Sequence, residues 1–175
     1  MVLWAGQGDR TEVYGLLATL VLAEYGLTAL PELARKAGGK PWFPARPGLH
    51  FNVSHSGGLL LCGAGAAPLG VDIERVRPRR AGLARFVLSG AEYDWYQAQG
   101  GGWEALCALW TLKEARCKYT GEGLSRPPRE IAVPLLDPGE TGRLDGLTFR
   151  AYGGPDWRAA ACGAEERPPE VIHWR

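Results

Sequence analysis

The stretch WEALCALWTLKEARCKYTG, from Trp103 to Gly121, constrains this chain more than any other. Its apolar residues keep to no single stripe. Leu106, Leu109, Leu112 and Ala115 cover one set of faces, and Cys107, Trp110 and Thr111 cover another. A helix that is apolar nearly all round is buried over most of its surface. The pattern predicts a helix from Trp103 to Tyr119, stopped by Gly121, and the rest of the chain has to wrap it. With 175 residues, 46% of them hydrophobic, there is enough chain for one compact domain or two small lobes. Glu114 and Lys118 interrupt the apolar surface near its end. On an exposed helix they would be an ion pair contributing a few tenths of a kcal/mol. On a buried one they face a partner or a cavity.

PLGVDIERVRPRR, from Pro68 to Arg80, supplies the next constraint. On a strand, residues two apart point to the same side, so Asp72 and Glu74 project together while Val71 and Ile73 face away. Neighbouring carboxylates repel, and a partly buried pair holds a proton unless a cation intervenes. A hard divalent ion such as Mg²⁺ answers this need, since it is held by carboxylates, water and phosphate oxygens. A strand end with Glu74 exposed and bridged to an arginine answers it too. Arg75, Arg77, Arg79, Arg80 and Arg85 crowd this region, either as a solvated basic face or as a dock for an acidic partner. Net charge is only +1, which gives no general case for nucleic acid or an anionic membrane.

Elsewhere, TEVYGLLATLVLAEYGL predicts a helix over Glu12–Glu24 capped by Thr11. PELARKAGGKPWFPARPG reads as turns and extended chain. LHFNVSHS has the period of a half-buried strand. Leu59–Ala64 and Leu69–Glu74 read as two further strands, with GAGAAPLG as their hairpin. A short helix follows the arginines, then a second opened by Ser89 and Glu92 as a capping box. EIAVPLL, GLTFRAY and WRAAACGA read as strands. The order of elements suggests an α+β protein of two lobes, residues 1–74 and 75–175. Cys62, Cys107, Cys117 and Cys162 lie far apart, as buried free thiols of a reducing compartment do. The opening residues lack a secretory signal, and the apolar run Val13–Ala23 is shorter than the about 20 residues a membrane span needs, so a cytoplasmic protein is expected.

Two more segments carry chemistry. SHSGG places Ser54, His55 and Ser56 beside flexible glycine backbone, a set able to bind an anion, although a lone histidine is often structural. GKPWF sets Lys40 and Pro41 beside two aromatics, either a surface turn with an apolar anchor or a contact to a nucleotide edge.

Together, GKPWF, FNVSHS, GVDIE and WTLKEARCK resemble the 4′-phosphopantetheinyl transferases of the surfactin-synthetase type, from about Asp9 to Cys162. FNVSHS precedes GVDIE, which favours the larger, monomeric, pseudo-two-fold class of two similar lobes over the smaller holo-acyl-carrier-protein-synthase class. The resemblance implies transfer of the phosphopantetheine arm of coenzyme A to a serine of an apo acyl or peptidyl carrier protein. Adenosine 3′,5′-bisphosphate would be released. Asp72, Glu74 and Glu114 would bind Mg²⁺. Lys118 and His55 would meet the phosphates, with Ser54 beside them, and Lys40 and Pro41 would touch the adenosine and its 3′-phosphate. The W-x-x-K-E-A-x-x-K pattern stands as Trp110, Lys113, Glu114, Ala115 and Lys118, so Lys113 joins the substrate-binding set. Members of this class carry basic residues ahead of the first helix; Arg10 is the candidate here, with Arg35 and Lys36 able to compensate. The base is Glu114, or a metal-bound water held by Glu74. Competing readings are a non-catalytic binder of coenzyme A or carrier, and a metal-dependent phosphodiesterase, which the near-neutral charge weakens.

Overall fold

The computed structural model describes residues 1–36, 38–123 and 125–175, and its strands fall mainly into two sheets, each backed by a long helix. The first sheet is ordered β10 (His173–Trp174), β1 (Val2–Gln7), β5 (Leu59–Gly65), β4 (His50–Ser56). The second is ordered β6 (Leu69–Arg75), β9 (Trp157–Gly163), β8 (Leu147–Gly154), β7 (Thr141–Leu144). All neighbours are antiparallel except β10, which lies parallel to β1. A small ribbon of β2 (Ala34–Arg35) and β3 (Pro41–Trp42) stands apart. Ala37, within the stretch expected to turn, lies outside the described residues.

Strand alternation explains the layering. Trp4, Leu60, Cys62 and Ala64 point to α1 (Val13–Tyr25), where Val13, Leu17, Leu20 and Val21 complete a core. Leu3, Ala5, Leu59 and Leu61 point the other way and meet Leu69, Val71, Ile73, Ala159 and Ala161 of the second sheet. The far face of that sheet, through Phe149, Ala151, Ala160 and Cys162, packs on α4 (Trp103–Thr120). α2 (Leu83–Val87) and α3 (Gly90–Ala98) cover α4 from outside. The molecule is thus α+β, and the apolar helix is wrapped as its composition required. Among the described residues no helix is long and apolar enough to cross a membrane.

Several expectations need correction. Val2–Gln7, to which no element was assigned above, is a strand central to its sheet; both its faces are buried, so it shows no alternation of apolar and polar residues. Thr11 does not cap α1, which follows Glu12 without a side-chain cap; Thr11 lies inside a single 3₁₀ turn, Arg10–Glu12, that Asp9 and Glu12 close as a capping box. GAGAAPLG is a crossing between sheets rather than a hairpin, because β1 and β4 already occupy both edges of β5. Ile131–Leu136 buries Ile131, Val133 and Leu136 without joining a ladder, and Pro134 within it has no N–H to give. The hairpin there is β7–β8, turned by Asp145 and Gly146 with φ of 50° and 80°. Sheet membership changes between β5 and β6, so β6, expected within the segment 1–74, hydrogen-bonds with C-terminal strands.

Candidate active site

β4 and β6 lie side by side in different sheets with no backbone ladder between them. Side chains make the join. Asn52 Oδ1 accepts from Val71 N at 3.1 Å, and Ser54 Oγ accepts from Ile73 N at 3.4 Å. Asn52 and Ser54 are therefore buried polar residues on β4, while His55 is exposed at the pocket mouth.

α4 settles onto the same face of β6 because Gly70 has no side chain. A Cβ there would overlap the Ala115 carbonyl oxygen and stand 2.6 Å from Tyr119 N. This close approach brings the last turns of α4 over Asp72 and Glu74. A cavity of about 480 Å³ results, lined by Asp72, Glu74, Glu114, Lys118, Ser54 and His55, with Arg10, Arg35 and Pro41 at its sides. Tyr14, Val53 and Trp110 complete its walls.

Asp72 is 4% exposed. Its Oδ1 accepts from Ser54 Oγ at 2.7 Å and from Lys118 Nζ at 2.7 Å, and Lys118 also donates to Ser54 Oγ at 2.8 Å. Ser54 Oγ, with one proton to give and two lone pairs to offer, is fully used. Asp72 Oδ2 is buried and, among the described residues, has no hydrogen-bond partner. Glu74 Oε2 accepts from Ser56 Oγ at 2.5 Å and Arg79 Nη2 at 2.6 Å. The arginine bridge considered for Glu74 therefore exists, at a glutamate that also lines the cavity.

Charge shapes the protonation of these groups. Burial pushes the Asp72 carboxyl above its ordinary value against the pull of Lys118. Glu114 is raised by burial and by Asp72 and Glu74. His55 is lowered, first by burial and then by Arg10 and Lys118. Burial is thus the main influence on all three groups, with the neighbouring charges second.

Not every expected residue arrives here. Lys113 is fully buried on the opposite side of α4. Its ammonium donates to Glu92 Oε1 at 2.7 Å and to the carbonyls of Pro128 and Ile131 at 2.9 and 2.6 Å. It fastens α3 and the loop after α4, and it lines none of the cavity. Lys40 borders the adjoining space instead, donating to Tyr119 O at 2.9 Å and Leu69 O at 3.3 Å. Asn52 was not among the expected site residues, and Ser56, expected in an anion-binding turn, bonds to Glu74 instead; the spacing of Asn52, Ser54 and Ser56 was the available signal. Among the described residues, no three His, Cys, Asp or Glu side chains are gathered closely enough to hold a metal ion by themselves. The orphaned Asp72 Oδ2, buried and acceptor-only, is the feature that suits a cation.

Residues 68–162, more than half of the chain, match the 4′-phosphopantetheinyl transferase superfamily. The chain belongs to that superfamily. A 4′-phosphopantetheinyl transferase of Bacillus subtilis is 39% identical over 103 residues, 58% of this chain and 46% of the relative. The 4′-phosphopantetheinyl transferase Sfp of Bacillus subtilis (strain 168) is 32% identical over 142 residues, covering 77% of this chain and 63% of its own. The 4′-phosphopantetheinyl transferase AcpT of Salmonella typhimurium is 38% identical over 128 residues, 69% and 65% of the two chains. This superfamily member therefore spans between 46% and 65% of the length of these relatives. The matched segment opens at Pro68 and contains β6 and α4, the two elements that carry Asp72, Glu74, Glu114 and Lys118.

Proposed function

We propose that this chain transfers the 4′-phosphopantetheine arm of coenzyme A to a serine hydroxyl of an apo acyl or peptidyl carrier protein, in a Mg²⁺-dependent reaction releasing adenosine 3′,5′-bisphosphate. The observation that carries this reading is the single cavity in which Asp72, Glu74 and Glu114 meet Lys118, His55 and Arg10. Carboxylates for a cation beside cations for phosphate are what displacement on a pyrophosphate requires.

Asp72, Glu74 and Glu114 would hold Mg²⁺, which supplies charge neutralisation on the phosphate oxygens. Lys118 and His55, which line the same cavity, would meet the phosphates of coenzyme A. Arg10 and Arg35 suit the 3′-phosphate, and Lys40 and Pro41 suit the adenosine. The carrier serine oxygen forms a bond to the β-phosphorus of coenzyme A, and the bond from that phosphorus to the oxygen of the adenosine 3′,5′-bisphosphate breaks. Glu114 takes the serine proton; its raised affinity for protons, with burial as the main cause, favours it as base over an ordinary carboxylate. Lys113 has no part in substrate binding, because its ammonium is enclosed in the core.

We further place the protein in the cytoplasm as a monomer, without nucleic-acid or membrane partners. Four free, buried cysteines fit a reducing compartment. The test is incubation with Mg²⁺, coenzyme A and an apo carrier, followed by mass spectrometry of the carrier. A gain of one phosphopantetheine is expected. Coenzyme A binding without that gain points to a non-catalytic binder, and cleavage of phosphodiesters points to the nuclease-type alternative.

A further inference from the structure

Two serines on β4 and two carboxylates on β6 share one spacing, and they pair off in the same manner. Ser54 and Lys118 both bond to Oδ1 of Asp72, and Ser56 and Arg79 both bond to Oε2 of Glu74. In each case a hydroxyl and a cation occupy one oxygen and leave the other. Asp72 Oδ2 is buried with no partner, and Glu74 Oε1 has no protein donor among the described residues.

A carboxylate held in this way can offer an incoming cation one oxygen. Chelation through both oxygens would bring the ion against the ammonium of Lys118 or the guanidinium of Arg79. Ca²⁺ often takes carboxylates bidentately, at about 2.3–2.6 Å in flexible coordination of six to eight oxygens. Mg²⁺ takes single oxygens at about 2.0–2.1 Å in a near-ideal octahedron, keeping several waters. Resting on the transferase reading above, we propose that Ser56 and Arg79 are positioning residues that confine Glu74 to one-oxygen ligation, so that the site selects Mg²⁺ against Ca²⁺. Ser54 and Lys118 confine Asp72 in the same way, but Lys118 also faces the phosphate subsite, so the Glu74 clamp is the one open to clean testing.

The experiment is calorimetric titration of the full chain, saturated with coenzyme A and without carrier, with MgCl₂ and with CaCl₂. The proteins are the wild type and the Ser56→Ala, Ser56→Thr, Arg79→Met and Ser56→Ala/Arg79→Met variants. Removing Arg79 strengthens binding of both ions, so the ratio of the two affinities is the quantity to read. Partners one layer beyond the ligands shift metal affinity by about 10–100-fold. The double variant should therefore move the ratio toward Ca²⁺ by about tenfold or more. Ser56→Thr, which keeps the hydroxyl, should retain the wild-type ratio. An unchanged ratio in the double variant, with both ions still bound, overturns this inference and leaves the transferase reading standing. Wild-type protein that transfers the arm yet binds neither ion overturns the metal site on which the inference rests. Circular-dichroism melts of each variant separate loss of selectivity from loss of fold.

Discussion

Gly70 of β6 and Ala115 of α4 touch backbone to backbone, and the cavity above Asp72 exists because they do. Gly70→Ala would drive a methyl group into the Ala115 carbonyl and push the helix away. Overpacking of this kind costs about 1–3 kcal/mol. Denaturant unfolding should show that loss, and transfer should fall as well, since Glu114 and Lys118 travel with α4.

Lys113→Met should be a folding defect rather than a binding defect. It would leave Glu92, 4% exposed, as an unpaired charge in the core. Breaking such a pair costs about 3–5 kcal/mol. A Lys113→Met/Glu92→Leu double variant should recover much of that stability, and coenzyme A affinity of the folded protein should match wild type in isothermal titration.

Glu114→Gln should separate stability from activity. Burial and the charges of Asp72 and Glu74 raise the affinity of Glu114 for its proton, so ionised Glu114 strains the fold at neutral pH. Its contribution to stability is fully present at acid pH and is lost as pH rises through the raised value. A neutral isostere should therefore raise the thermal midpoint at pH 7, by about 2–4 °C for each kcal/mol relieved in a chain of this size. Turnover should drop by at least about 100-fold in the carrier-loading assay. A folded variant with full turnover would falsify both roles given to Glu114.

Lys40 provides a pH signature. Burial, and then the nearby charge of Lys36, lower it from 10.5 to about 8. The folded state binds this proton more weakly than the unfolded one. Its contribution to stability is present above 10.5 and is lost as pH falls through about 8. Coenzyme A affinity should run the other way, weakening as pH rises through about 8 and the ammonium loses its charge. Lys40→Arg should flatten that dependence in fluorescence or calorimetric titrations.

The arginine cluster divides in two. Arg75 bonds to the Gly57 carbonyl and to Asp156, and Arg79 to Glu74, whereas Arg77 and Arg80 are exposed. If an acidic carrier is steered here, Arg77→Glu with Arg80→Glu should raise its KM and reduce the salt dependence of kcat/KM, with little change in kcat. Identical kinetics across salt would return these two residues to a merely solvated face.

The legible parts of this chain were those with local chemistry. The apolar helix, the Ser89–Glu92 box and the carboxylate pair of β6 all announce themselves through spacing or capping. Elements defined by distant partners did not. β1 carries no alternation because it is buried on both faces, and Lys113 stands beside Glu114 in sequence yet points to the other side of α4. The Asp145–Gly146 turn was readable from its residue types but was masked by the apolar run Ile131–Leu136, whose burial needs no strand. Asn52 looked like the outward face of a half-buried strand; only the neighbouring sheet edge gives it work.

That edge has a consequence for how such a molecule changes over generations. A backbone ladder is indifferent to most side chains and resists alteration one codon at a time. The seam between β4 and β6 ties its backbone through an amide and a hydroxyl, Asn52 and Ser54, with the bonds of Ser54 and Ser56 to Asp72 and Glu74 beside them. Single substitutions at Asn52 or Ser54 should loosen this seam while the apolar layer between the sheets still holds them together. Selection thus has a direct handle on the width of the cleft, while both sheets keep their ladders intact.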